Sequence, residues 1–162
     1  MAALPARTGS RLSRSRDLGR NDHMNLKLFE LHSKRQVKSK ELRAHAEPFP
    51  GRKIDHRFIV RQETKEVALL WFVVFPSEPY LVIYKLYVAG RYRGKGIGSE
   101  LIRRAEIMAR QSGRSRILVT PKPITPYTTR EELVAWYERR GFSRLNEGLM
   151  YFKDVPAKNL LA

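Results

Sequence analysis

The sequence predicts one α/β domain, of the α+β type, built on a single mixed and mostly antiparallel sheet. Three observations carry this expectation. Three apolar or alternating runs, 56–62, 66–75 and 80–88, follow one another across short turns, the pattern of an antiparallel meander. A glycine-rich turn, Gly94 to Gly98, then opens a run whose apolar residues stand three and four apart, the period of a helix. A short apolar run, a second capped helix and a turn-flanked pair follow, so strands and helices alternate around one core.

Taken in order, residues 1–23 read as a separate tail, rich in Arg and Ser and without apolar periodicity. The tail fits an organelle-targeting segment, a basic arm for nucleic acid, or an extension foreign to the folded protein with Met24 as the natural start; the last is favoured. Residues 24–155 are expected to form the domain, and 156–162 to fray. Leu26, Leu28 and Leu31 alternate with Lys27 and Glu30 and suggest a first strand over 25–32. The basic stretch 33–46 suggests a short surface helix, ended by Pro48, Pro50 and Gly51. The meander follows; its central run is apolar on both faces, as a strand buried between two layers requires.

After the glycine turn, Ile97, Leu101, Ile102, Ala105 and Met108 form the apolar face of a helix that stops at Gly113. Arg116 to Thr120 reads as a short buried strand. Thr129 and Glu132 make a capping box for a helix closed by Gly141. Runs 142–145 and 149–152 flank the turn Asn146-Glu147-Gly148 and suggest a terminal hairpin.

Charge is the compositional outlier. Among 162 residues, 32 Lys and Arg stand against 16 Asp and Glu, a net charge of +16, so the surface should attract anions such as nucleic acid, an acidic protein or a phosphorylated cofactor. The tail, with five arginines and two aspartates, supplies only three of these sixteen charges. The chain has no cysteine, which excludes disulfides, thiol nucleophiles and Cys-based zinc sites. The longest apolar run, 67–75, is about half the length of a membrane-spanning helix, and no secretory signal is visible. The chain is expected in the cytoplasm, away from membranes.

The turn Arg93-Gly94-Lys95-Gly96-Ile97-Gly98 carries the first functional inference. A strand leads into it and a helix leaves it. The first N–H groups of a helix have no internal partner, and the helix dipole favours an anion there. Arg93 and Lys95 add positive charge. A phosphate or pyrophosphate fits, although such a turn can also join strand to helix and bind nothing. A P-loop is excluded because Gly96, not Ser or Thr, follows Lys95. A dinucleotide fingerprint is excluded because the spacing is Gly-x-Gly-x-Gly.

A second stretch, Tyr137-Glu138-Arg139-Arg140-Gly141-Phe142, is weak alone, since a helix end with one core-facing aromatic explains it. In this order and spacing, the two stretches resemble the GNAT superfamily of acetyl-CoA-dependent N-acetyltransferases over roughly Leu26 to Val155. The resemblance implies a sheet of six to seven strands flanked by helices and splayed between the fourth and fifth strands. It implies acetyl-CoA as cofactor, held by Leu86, Tyr87, Val88, Arg93, Gly94, Lys95, Gly96, Ile97, Gly98 and Ser99. Within that set, backbone N–H groups of the glycine turn would take the pyrophosphate, and Leu86 to Val88 would pair with the pantetheine arm. The N–H of Val88 would polarise the thioester carbonyl, and Tyr137 would protonate the departing thiolate. No metal enters this scheme.

One departure matters. Many family members carry on the fourth strand a carboxylate that helps deprotonate the amine, and Tyr80 to Val88 has none. Tyr84, Glu78, His56 or a water chain are the substitutes considered. The functional expectation is therefore transfer of an acetyl group to an unidentified primary amine by direct attack in a ternary complex. The alternatives are a non-catalytic nucleic-acid-binding module of the same fold, or an acetyltransferase acting on an RNA-borne amine. RNA contact and a homodimer are compatible with the sequence.

Overall fold

The computed structural model describes residues 24–46 and 53–157. The tail 1–23, the break at Pro48 to Gly51 and residues 158–162 lie outside the described residues. The chain forms β1 (Leu26–Glu30), a 3-10 turn (Lys34–Gln36), α1 (Lys40–His45), β2 (Asp55–Gln62), β3 (Lys65–Val74) and β4 (Tyr80–Val88). A second 3-10 turn (Gly90–Tyr92), α2 (Ile97–Gln111), β5 (Arg116–Val119), α3 (Arg130–Glu138), β6 (Ser143–Arg144) and β7 (Tyr151–Asp154) complete it. No helix among the described residues is long and apolar enough to cross a membrane.

The strands form one seven-stranded sheet in the order β1-β2-β3-β4-β5-β7-β6. Only β4 and β5 run parallel, and α2 supplies the crossover that a parallel pair needs. The expected terminal hairpin exists, but β7 also pairs with β5 and so lies between β5 and β6.

Two cores flank the sheet. Leu70, Phe72, Leu81 and Ile83 pack with Ile97, Leu101, Ile102 and Ala105 of α2 and with Tyr137 and Phe142. On the opposite face, Leu69, Ile59 and Tyr87 pack with Val37 and Leu42. The stretch 33–46 is thus not merely a surface helix: Val37 and Leu42 are both 0% exposed. Six residues are too few for a helix to persist alone. α1 is held by Ser39 Oγ, which accepts the Leu42 N–H at 3.3 Å, and by Glu66 Oε2, which accepts the N–H groups of Lys38 and Ser39 at 2.8 and 2.7 Å.

Two irregularities of β4 shape its far end. Phe72 pairs with Ile83 and Trp71 with Lys85, so Tyr84 is an extra residue, a β-bulge. Before it, Leu81 and Ile83 face the α2 core; after it, Leu86 and Val88 do, and Tyr87 turns to the α1 core. Pairing with β5 also stops at Ile83–Val119 while β4 continues to Val88. Beyond Ile83, β4 keeps β3 on one side and has an open edge on the other, which is the splay expected between the fourth and fifth strands.

Candidate active site

The open edge of β4 has a defined polarity. The N–H of Ala89 donates to Val67 O at 2.9 Å, across to β3. Successive residues of a strand point their N–H and C=O groups to opposite sides. Val88 therefore turns its own N–H and C=O away from β3, to the edge that β5 leaves uncovered. The Val88 carbonyl accepts from Nε of Arg93 at 2.9 Å, and the Arg93 guanidinium carbon lies 5.1 Å from the centre of the Tyr87 ring.

The glycine turn follows directly. Gly94 and Gly96 have φ of +72° and +85°, backbone that L side chains adopt only with strain. Gly96 caps α2 with no side chain to satisfy the first amides. Among the described residues, the N–H groups from Gly94 to Ser99 find no protein acceptor. Lys95 and Arg91 lean on the Tyr92 ring, at 5.8 and 5.5 Å. A ring of free amides beside Arg93 and Lys95 is a donor set suited to a phosphate diester or diphosphate, so the residues expected to hold acetyl-CoA fit its pyrophosphate.

The third glycine has a different role. A Cβ on Gly98 would lie 2.9 Å from Cζ2 of Trp136 and 3.9 Å from Cδ2 of Leu86. Gly98 thus lets α2, α3 and the open end of β4 meet. Arg140, just beyond α3, locks this contact: its guanidinium stacks on Trp136 at 3.6 Å, Nη1 donates to Trp136 O at 2.7 Å, and Nε donates to Ser99 Oγ at 2.9 Å.

Tyr137 is 5% exposed and sits edge-on to Trp136 and Phe142, with ring centres 5.0 and 5.2 Å away. Val88 and Leu86 pack against the same core. Burial pushes the phenol above its ordinary pKa against the opposing charge of Arg140, so it stays protonated at physiological pH. Its hydroxyl makes no hydrogen bond among the described residues.

The three substitutes for a strand carboxylate lie apart. Glu78 is in the turn before β4, at the far end of the strand, beside an open hollow of about 650 Å3 lined with Tyr80, Arg116 and Asp154. His56 is on β2, stacked on Phe72 at 5.2 Å and 3.9 Å from Glu30. Tyr84 is 63% exposed at the bulge and lies 4.3 Å from the Trp71 ring.

A carboxylate does reach the strand end, from α1. Oε1 of Glu41 accepts from the Tyr87 hydroxyl at 2.9 Å and from the Gly90 N–H at 2.8 Å. The Gly90 N–H, and then Tyr87, Arg93 and His45, hold its carboxyl below the usual range against the opposing effect of burial. Burial and the bond to Glu41 raise the Tyr87 phenol. His45 stacks on Tyr87 at 3.9 Å, and Lys85 Nζ donates to His45 O at 2.8 Å. Sequence reading missed Glu41 and Arg140. Ser39, with its hydroxyl three residues before Leu42, marks the start of α1, but nothing local pairs Glu41 with residues 46 and 49 positions away.

The acetyltransferase (GNAT) domain model matches residues 54–144. No curated protein matches the chain in sequence. Among solved structures, the ribosomal-protein-S18-alanine N-acetyltransferase from Escherichia coli is similar with a TM-score of 0.59 at 16% identity, over 85% of this chain and 99% of that one. The IAA acetyltransferase from Bacillus cereus gives 0.56 at 16% identity, over 80% and 99%. Tetrahymena GCN5 gives 0.53 at 9% identity, over 66% and 72%. At these identities the structures speak for the fold alone.

Proposed function

The chain belongs to the GNAT family of acetyltransferases, and on that premise we propose that it transfers the acetyl group of acetyl-CoA to a primary amine by direct attack in a ternary complex. The observation that carries this reading is the open edge of β4. Its pairing with β5 ends at Ile83, its last amide points away from β3, and the uncapped amides of α2 follow within ten residues.

When bound, acetyl-CoA supplies the activated acyl group as a thioester. The amides of Gly94 to Ser99, with Arg93 and Lys95, bind the pyrophosphate. Leu86 to Val88 hold the pantetheine arm as an added strand. The Val88 N–H donates to the thioester carbonyl oxygen; one such donor contributes on the order of 3 kcal/mol where charge develops. Tyr137 would hold its phenolic proton for the departing thiolate and would be reprotonated, through solvent, by the proton that the attacking nitrogen loses as the amide forms. Positioning two reactants in one cleft can supply about 7–11 kcal/mol.

Thermal unfolding with acetyl-CoA tests the reading. At 100 times its dissociation constant the ligand should add about 2.7 kcal/mol of stability. That gain should vanish in Gly96→Val, where the strain of φ +85° and the added side chain spoil the turn. A wild-type protein with no shift, and no amine-dependent release of thiol from acetyl-CoA, would overturn it.

A further inference from the structure

We propose that Glu41 receives the ammonium group of the acceptor amine, at the α1 face of the open end of β4. The inference rests on the acetyl-transfer reading above and gives it an acceptor subsite. β4 presents Tyr84, Lys85 and Tyr87 to the α1 side and no carboxylate. α1 supplies one. The two donors to Glu41, Tyr87 and Gly90, flank Val88 and Ala89 in sequence, so the carboxylate is fixed where the strand end meets the 3-10 turn that precedes the glycine turn.

Both bonds fall on Oε1. Oε2 accepts from none of the described residues, and the side chain is exposed. Half of a rigidly held carboxylate is therefore open to a cationic donor, and a charge-assisted hydrogen bond is the strongest use of it. Among the described residues, the neighbouring carboxylates of this face, Glu66 and Asp55, are engaged. Glu66 holds the amides of Lys38 and Ser39 and lies 3.4 Å from Arg61, and Asp55 lies 3.9 Å from Arg57.

Among the described residues, the titratable groups acting on Glu41 are Tyr87, Arg93 beside it, and His45 on α1. One ammonium can be balanced by Oε2; a second positive charge would meet these groups. The acceptor class is thus an amine with a single cationic head and a neutral or anionic group next to it. A carboxylate kept charged anchors the ammonium, and the proton lost before attack goes to solvent.

The test compares the wild type with Glu41→Gln, each with and without CoA, by titrating n-propylammonium while following the Gly90 amide by NMR. Glutamine keeps an acceptor oxygen for Tyr87 and Gly90, so the tether between α1 and the turn remains and only the charge is lost. The expected result is a saturable Gly90 shift in the wild type that is at least tenfold weaker in the variant, with equal CoA affinity and unfolding temperature. Spermidine should bind no more tightly than n-propylammonium. An equal response in the two proteins, or no saturable response in either, would make Glu41 a tether only; spermidine binding tenfold tighter would overturn the single-cation class. Failure of the acetyl-transfer reading would show separately, as absent CoA affinity in the wild type.

Discussion

Trp136 closes over Gly98 so tightly that a Cβ at that glycine would stand 2.9 Å from the Cζ2 atom of the ring. The ring cannot swing aside cheaply, because Arg140 is stacked on it at 3.6 Å. Gly98→Ala should therefore cost about 1–3 kcal/mol, the usual range for overpacking. Chemical denaturation measures it, and a change in Trp fluorescence at native conditions would locate the strain. An unchanged midpoint would mean that α3 yields without penalty.

Tyr137→Phe should lower turnover by about 100-fold or more, as removal of a positioned acid does, with acetyl-CoA affinity unchanged. The hydroxyl has no hydrogen bond among the described residues, so folding should survive the change. Alkaline unfolding gives a second readout. The folded phenol titrates above its unfolded value of about 10. Its burial in neutral form is then fully stabilising below pH 10 and is lost as pH rises toward the folded value. The wild-type unfolding temperature should fall more steeply than that of the variant above pH 10.

Among the described residues, Arg140 pairs with neutral groups only, Ser99 Oγ, Trp136 O and the Trp136 ring, while burial and Arg139 both press its pKa down. It stands at the first turn of α2, where the helix dipole also repels a cation. An anion held there would relieve both. Arg140→Gln is expected to weaken acetyl-CoA binding by about tenfold, the loss of one charged hydrogen bond, as read by calorimetric titration. Equal affinity would assign Arg140 to the docking of α3 alone.

Leu42→Ala should cost about 2–5 kcal/mol, because a fully buried leucine leaves a cavity. The loss bears on the proposed acceptor subsite, since α1 carries Glu41. Reduced acetyl-CoA-independent stability by denaturant titration, with an intact α2 face, is the expected outcome.

The elements that are legible in the sequence are those with local punctuation. β4 is bounded by Pro76-Ser77-Glu78-Pro79 before it and a glycine after it, and its span matches the expectation. The helix α3 begins at Thr129, whose hydroxyl accepts the Glu132 N–H at 3.1 Å while Glu132 returns a bond to the Thr129 N–H, as the capping box implies. The family motifs locate the glycine turn and Tyr137. The sequence underestimates α1 because the burial of this stretch is shared between Val37 and Leu42 across a 3-10 turn, which breaks the helical period. Placement of β7 between β5 and β6 depends on long-range pairing that no local pattern encodes. In the sequence Gly98 groups with Gly94 and Gly96, yet its need for a hydrogen side chain comes from Trp136, far along the chain.

The bulge at Tyr84 sets the parity of everything after it. A strand alternates its faces, so one inserted residue exchanges the two. By that count Tyr87 meets Glu41 and Val88 meets the α2 core only because the extra residue is present. The identity of residue 84 is then nearly free, since its ring is mostly outside, while its existence is not. Sequence drift by substitution is open at this position, and drift by deletion is closed: a chain shortened there would keep a sheet but turn the open edge of β4 inside out.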